Sequence, residues 1–328
     1  MAEQRGAGDA RAPRVIVLVN PASGKGRGAV AAEAAVRRLR ELGAEVLVRE
    51  GDSAKSTRDH AASAVSERPD ALVVVGGDGT LASLLEEVAH ANVPIALVPA
   101  GTGNDFARAL GLPFEGPDAA AAAAELALHG DIRHIDVGRA RCPDGEAKFL
   151  TVAALGFDAL VSERTNRLKW PKGALRYYLA LVIELAKLRP LRFDVSVDGE
   201  AREARPGILA AVGNTRSYGG GMPMCPGADP GDGRFDLTLV GPLGRLQLLR
   251  LFPLLLRAAH TSRPEVLTRR CERVEISAPG LIVYADGERV GTESVHIDML
   301  PGALRVFVPT DGSNSPVSFS TKQQGATQ

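Results

Sequence analysis

Only three cysteines, Cys142, Cys225 and Cys271, occur in 328 residues, and no two form a CxxC pair. An odd, wide spacing suggests neither a disulfide framework nor a zinc knuckle and fits a reducing cytoplasm. Net charge is also lacking: 39 basic side chains face 39 acidic ones. Bulk electrostatics therefore predict neither a nucleic acid nor an anionic surface as partner. No apolar run approaches the roughly 18 residues of a spanning helix. The opening MAEQRGAGDARAPR lacks the apolar region of a signal peptide. Residues 1–12 and 311–328 are polar and expected to be disordered. What is present is length enough for two domains and a sizeable core.

The stretch Leu72 to Leu85 organises the rest. Leu72 to Val75 form a β-branched apolar run of the kind that builds a buried parallel strand. Gly76-Gly77-Asp78-Gly79-Thr80 follows, and then Leu81, Leu84, Leu85 and Val88 recur at helical spacing. Glycines let a backbone approach a ligand, and free N–H groups favour an anion. Asp78 repels phosphate unless a cation or a sugar hydroxyl intervenes; as a turn residue it needs neither.

Similar strand–loop–helix units flank it. Val15–Val19 runs into Asn20-Pro21-Ala22-Ser23-Gly24-Lys25-Gly26-Arg27-Gly28 and a helix over 29–42; Ile95–Val98 runs into Pro99-Ala100-Gly101-Thr102-Gly103-Asn104-Asp105 and a helix through Leu110. Strand 44–48 and helix 56–66 lie between. Alternating elements predict a doubly wound parallel sheet, with a nucleotide crevice where the three loops gather at the strand ends. Gly24, Gly26 and Ala29 match a dinucleotide fingerprint, with Glu50 at the position of a ribose-binding acid. The match is a decoy, because Asn20 to Ser23 separate it from the strand. A Walker loop is excluded, because Gly26 follows Lys25 where Ser or Thr belongs. Lys25 and Arg27 are available to clamp phosphate, or are simply solvated charges.

Asp118 opens an alanine-rich spacer helix. The domain boundary falls at 133/134, giving an α/β domain over 13–133 and a β-rich domain over 134–310 whose last strand can return to the first. The second domain reads as short strands at 149–153, 192–197, 207–212, 235–240, 272–277, 281–285 and 303–308, with helices at 175–188 and 243–259. Asp229 and Asp232 lie on a glycine-bent loop ending at Arg234, a pattern that suits Mg²⁺ or a plain turn. Asp286-Gly287 reads as a hairpin turn. Arg164, Arg167, Lys169, Lys172 and Arg176 surround the single tryptophan, Trp170, as at an anionic membrane surface or on a solvated helix face.

Taken in order, Asn20 to Gly24, Gly76 to Thr80, Gly101 to Phe106, Gly156-Phe157-Asp158, Tyr218 to Gly221, Asp229 to Phe235 and Asp286 to Glu288 resemble the diacylglycerol kinase catalytic family. That family includes sphingosine, ceramide and bacterial soluble lipid kinases; GGDGT alone is shared with NAD kinases and phosphofructokinases. The resemblance spans residues 15–308. It implies an α/β nucleotide domain, a β-sandwich domain and an active site in the cleft between them. It implies ATP against Asn20, Pro21, Ala22, Ser23, Gly24, Lys25, Gly76, Gly77, Asp78, Gly79, Thr80, Gly101, Thr102, Asn104 and Asp105. Asp78 would organise the Mg²⁺–phosphate region, with Asp105 and Asp136 in its acidic network. Asp229, Asp232 and the Arg234 carbonyl would form a metal loop, and Asp286 would be the general base. The region Arg49 to Ser53 holds a further nucleotide contact that the sequence does not identify.

The implied reaction is ATP- and Mg²⁺-dependent phosphorylation of a membrane lipid, diacylglycerol to phosphatidic acid first. It implies a cytoplasmic enzyme that touches the inner face of the membrane, binds no nucleic acid, and pairs with a second copy through the β-domain. Other readings are a kinase of a sphingoid base, ceramide or glycolipid, an NAD kinase, a dinucleotide-binding oxidoreductase using Gly24, Gly26, Ala29 and Glu50, and a silent lipid-binding protein.

Overall fold

The computed structural model describes residues 11–21, 23–168, 170–171 and 174–310. Both tails, Ala22, Lys169 and Lys172 lie outside the described residues, as does the side chain of Lys25.

The first domain starts with β1 (Arg14–Val19), α1 (Arg27–Glu41), β2 (Glu45–Glu50), α2 (Ala54–Ser66) and β3 (Ala71–Gly76). It continues with α3 (Asp78–Ala82), α4 (Leu85–Val88), β4 (Ile95–Pro99), α5 (Asp105–Ala109) and α6 (Ala119–His129). The strands pair in parallel in the order β4-β3-β1-β2. Their residues alternate between two cores. Ile16, Leu18, Leu72 and Val74 pack with Leu81, Leu84, Phe106 and Leu110 on one face, while Val15, Val17, Val73 and Val75 pack with Ala32, Leu39, Ala123 and Ala127 on the other. Burial on both faces is why these strands read as continuous apolar runs. The single helix expected after Gly76–Thr80 is two short ones, α3 and α4, broken at Ser83–Leu84, although its apolar stripe is buried as expected.

The second domain opens with β5 (Asp131–Cys142), β6 (Gly145–Phe149) and β7 (Val152–Gly156), then α7 (Phe157–Arg167) and α8 (Ala174–Ala186). Next come β8 (Leu191–Val197), β9 (Glu203–Gly207), β10 (Leu209–Gly213), β11 (Phe235–Val240) and α9 (Arg245–Leu256). β12 (Val266–Cys271), β13 (Arg273–Ala285) and β14 (Glu288–Val308) complete it. β12-β11-β10-β7 form one antiparallel layer. β6, β5, β14, β8 and β9 form the other, and Phe149, Phe193, Phe235, Leu237 and Ile276 fill the space between. β13 serves both layers. Val274–Ser277 pair with β8 and Val283–Ala285 with β7, with a register shift between them. α7, α8 and α9 cover the outer face of the first layer over Val161, Ala180, Leu209 and Leu251.

β14 joins the domains. After a register shift between Leu300 and Leu304, its end lies parallel to β4 at Val306↔Ile95. The arrangement is the α/β-plus-β-sandwich fold expected from the resemblance. No helix among the described residues is long and apolar enough to cross a membrane.

Candidate active site

Three loops converge at the C-terminal ends of β1, β3 and β4. The Asn20 amide donates to the Thr80 hydroxyl (3.4 Å) and its backbone N–H to the Val75 carbonyl (3.3 Å), so the first loop leans on the second. The second and third loops touch through glycine. A Cβ on Gly77 would stand 2.7 Å from the Gly101 Cα, and one on Gly24 would stand 1.9 Å from the Ala100 oxygen. Gly79 differs: no atom lies within 4 Å of its hypothetical Cβ. Gly79 and Thr102 are exposed, so they face open space where a ligand can sit. Pro21, Ser23 and Gly76 belong to the same walls. Arg27 is not a free phosphate clamp, because its guanidinium donates to the Gly101 carbonyl (2.6 Å) and the Gly24 carbonyl (3.1 Å).

The acidic residues prove to be braces. Asp78 accepts from the backbone N–H groups of Asp105 (2.8 Å) and Phe106 (3.0 Å), fixing the start of α5. Burial pushes its carboxyl above the usual range. The Asp105 side chain is 4% exposed and paired with Arg108 at 3.0 Å. It accepts from Gly220 and Gly221 N–H, at 2.7 Å each, and from the Ser217 hydroxyl at 3.2 Å. Asn104 also turns inward, in the left-handed region at φ 52°, and bonds both ways with Gly101. The side chains of Asn104 and Asp105, expected against the nucleotide, are engaged within the protein as loop and domain supports.

Asp136 also stays out of the crevice. It accepts from Gly233 and Gly302 N–H, both at 2.7 Å, and so ties the 229–234 loop to the bend in β14. The expected metal loop is not assembled as a cage. Asp229 is engaged by Arg133 and Gly231 N–H, and Asp232 by Arg270 and Arg234 N–H. Among the described residues no three His, Cys, Asp or Glu side chains are grouped to hold a metal ion. The arginines neutralise the carboxylates that a cation needs, so Asp229, Asp232 and Arg234 do not fit a preformed Mg²⁺ site here.

Asp286 holds the centre of the second-domain wall. It sits in the β13–β14 turn with Gly287, and both have positive φ (48° and 84°), as a tight two-residue hairpin requires. Its carboxylate accepts from the N–H groups of Leu150 (2.7 Å) and Thr151 (2.9 Å) and from the Thr151 hydroxyl (2.5 Å). The residue is half-buried, and the dense protein around its carboxyl pushes its pKa up to about 6. Asp78 is near enough to add to that rise. The nucleotide loops meet the second domain where the Asp105 carboxylate accepts from Gly220 and Gly221. Asn214 supports Leu150 from below, donating to the Leu150 (2.9 Å) and Asp136 (2.8 Å) carbonyls. Neither Asn214 nor Thr151 is singled out by sequence reasoning, because a lone polar residue at a strand end carries no pattern.

Residues 14–140 match a diacylglycerol kinase catalytic domain, and residues 151–308 a YegS C-terminal NAD kinase beta sandwich-like domain. Fold and site together are those of a two-domain kinase. A diacylglycerol kinase of Mycobacterium tuberculosis (strain H37Rv) is 43% identical over 300 residues, covering 91% of this chain and 96% of the relative. The chain belongs to the diacylglycerol kinase family. A Bacillus subtilis diacylglycerol kinase is 28% identical, covering 88% of this chain and 92% of its own. A solved diacylglycerol kinase from Bacillus anthracis str. Sterne shares the fold (TM-score 0.68, 20% identity, 92% and 99% covered). So does an Archaeoglobus fulgidus NAD kinase in complex with ATP (TM-score 0.51, 16% identity, 90% and 94% covered). Membership implies ATP as phosphoryl donor and sets aside the oxidoreductase reading of Gly24, Gly26, Ala29 and Glu50.

Proposed function

We propose that the enzyme transfers the γ-phosphoryl group of ATP to the hydroxyl of a membrane lipid, with diacylglycerol as acceptor and phosphatidic acid as product. The observation that carries this reading is Asp286, a half-buried carboxylate in the β13–β14 turn of the second domain, near enough to Asp78 of the second glycine loop to feel its charge. A lipid hydroxyl is a weak nucleophile, and Asp286 takes its proton as the oxygen attacks phosphorus. The new O–P bond forms as the bond to the bridging oxygen of ADP breaks. Such a transfer needs positioning and charge neutralisation more than covalent help. The N–H groups of the Gly77–Thr80 loop would supply part of that. In this reading Mg²⁺ accompanies the nucleotide, and no metal is assigned to the Asp229–Arg234 loop. Diacylglycerol is preferred because the M. tuberculosis and B. subtilis relatives carry that name.

The acceptor lies in a bilayer, so the reading includes a docking face. α8 exposes Leu175, Tyr178 and Val182, α9 exposes Leu246, Leu249 and Leu256, and Trp170 precedes α8. Arg245, Arg250 and Arg257 are exposed on or just beyond α9. Apolar side chains among exposed arginines complement an anionic bilayer. α9 also packs inward through Leu248, Leu251 and Leu254, so it serves the core and the surface together.

The test is transfer of labelled γ-phosphate to a panel of diacylglycerol, monoacylglycerol, ceramide and sphingosine in mixed micelles, with Mg²⁺ and with chelator. Label in diacylglycerol, lost with chelator, supports the proposal. Label in another lipid moves the acceptor, and label in none overturns lipid transfer.

A further inference from the structure

Tyr284 and Arg289 face one another across the β13–β14 hairpin, on either side of Asp286-Gly287. Both reach the same side chain on α7. The Tyr284 hydroxyl donates to Glu163 Oε2 at 2.6 Å, and Arg289 Nε lies 3.8 Å from that oxygen. Arg167, one turn further along α7, holds Glu163 Oε1. The Glu163 side chain is only 12% exposed. A carboxylate so placed is retained at a cost unless its partners compensate, and here the partners are the two limbs of the turn that carries Asp286. α7 is in turn tied to α8 by the Arg164–Glu184 ion pair.

We infer that Glu163 is a positioning residue for Asp286: by gripping Tyr284 and Arg289 it holds the hairpin turn, and with it the base, at the acceptor hydroxyl. The inference rests on the reading of Asp286 as the base. Asp286 itself sits at positive φ on a two-residue turn, and only Leu150 and Thr151 hold its side chain from the opposite side. Without Glu163 the turn keeps its ladder to β7 and the packing of Tyr284 with Ala159, but loses the Glu163 tie that joins both its limbs to α7.

The test measures kcat and KM for ATP with diacylglycerol micelles, beside thermal unfolding, in the full chain. Glu163→Ala is expected to lower kcat by about tenfold to a hundredfold, the effect of a small misplacement at the reacting centre. KM for ATP should stay within about twofold, because the nucleotide loops are untouched. Glu163→Gln keeps an acceptor for the Tyr284 hydroxyl and should recover most of the lost kcat. Tyr284→Phe removes that bond while keeping the ring, so it should show part of the loss and serves if Glu163→Ala does not fold. Wild-type kcat in both Glu163→Ala and Tyr284→Phe overturns the inference. So does a loss in which kcat and KM for ATP move together with unfolding temperature and Gln gives no recovery. Asp286→Asn separates the two readings. If it is inactive while Glu163→Ala matches wild type, the base role stands and the grip falls; if it turns over at the wild-type rate, both fall.

Discussion

The Asp105 carboxylate and the Gly221 N–H meet at 2.7 Å, joining the third glycine loop of the nucleotide domain to a loop of the β-sandwich. Gly220 N–H makes a second bond of equal length, and positive φ at both glycines (91° and 102°) is the conformation in which they bind this one side chain. Removing the carboxylate takes an acceptor from the buried Ser217 hydroxyl and from two glycine N–H groups that water can partly reach, at about 1 kcal/mol. Asp105→Ala is therefore expected to lower the urea midpoint and to expose the 216–222 loop to proteolysis. An unchanged midpoint and cleavage pattern would show that the contact does not hold the domains together.

Gly77 and Gly79 make a matched pair. A methyl group on Gly77 meets the Gly101 backbone at 2.7 Å, whereas one on Gly79 meets nothing within 4 Å. Gly77→Ala should separate two loops, lowering both stability and ATP affinity. Gly79→Ala should fold with wild-type stability and lose ATP affinity by about tenfold or more, because the methyl group occupies space given to phosphate. Calorimetric titration with ATP, paired with thermal unfolding, checks both. Wild-type affinity in Gly79→Ala would move the phosphates elsewhere.

Burial raises the Asp286 pKa to about 6. In the proposed role the active form is the carboxylate, which protonates as pH falls through that value. The ratio kcat/KM, which reports the free enzyme, should therefore rise with pH, with its midpoint at about 6. The measurement is the pH profile of kcat/KM. An acid limb near the ordinary carboxylate range would show that the site is more hydrated than its packing implies.

Leu246 and Leu249 on α9 are 71% and 51% exposed. Replacing both by Gln should leave unfolding temperature and ATP affinity unchanged, since neither side chain is buried. Co-sedimentation with vesicles containing anionic lipid should fall several-fold, as expected when apolar contact with an interface is removed. Equal binding by the wild type and the variant would take α9 out of the docking face.

The two halves of the chain were unequally legible. β3 and β4 are buried on both faces, so their apolar runs and the glycines after them mark strand, loop and crevice directly. The sandwich hides its logic in long-range pairing. Residues 149–153 read as one strand, yet the chain breaks at Leu150-Thr151, whose N–H groups turn to Asp286 far along the sequence. α7 was missed because Arg164 and Arg167 read as membrane-facing or solvated charge, whereas they pair with Glu184 and Glu163. β14 was read only as its last third. Pro301-Gly302 looks like a terminator, but it is the bend at which Gly302 N–H meets Asp136. Local physics predicted the hairpin at Asp286 correctly, and its proposed chemistry came from resemblance alone. Asp229 and Asp232 show the reverse: a metal-like spacing whose carboxylates are taken by Arg133 and Arg270.

The central claim is that Asp286 takes the acceptor proton beside the nucleotide loops. Its most direct test is transfer of labelled γ-phosphate from ATP to diacylglycerol by Asp286→Asn, with ATP affinity measured on the same sample. The account predicts ATP binding at wild-type strength and no label in phosphatidic acid above background. Label appearing at the wild-type rate would contradict it.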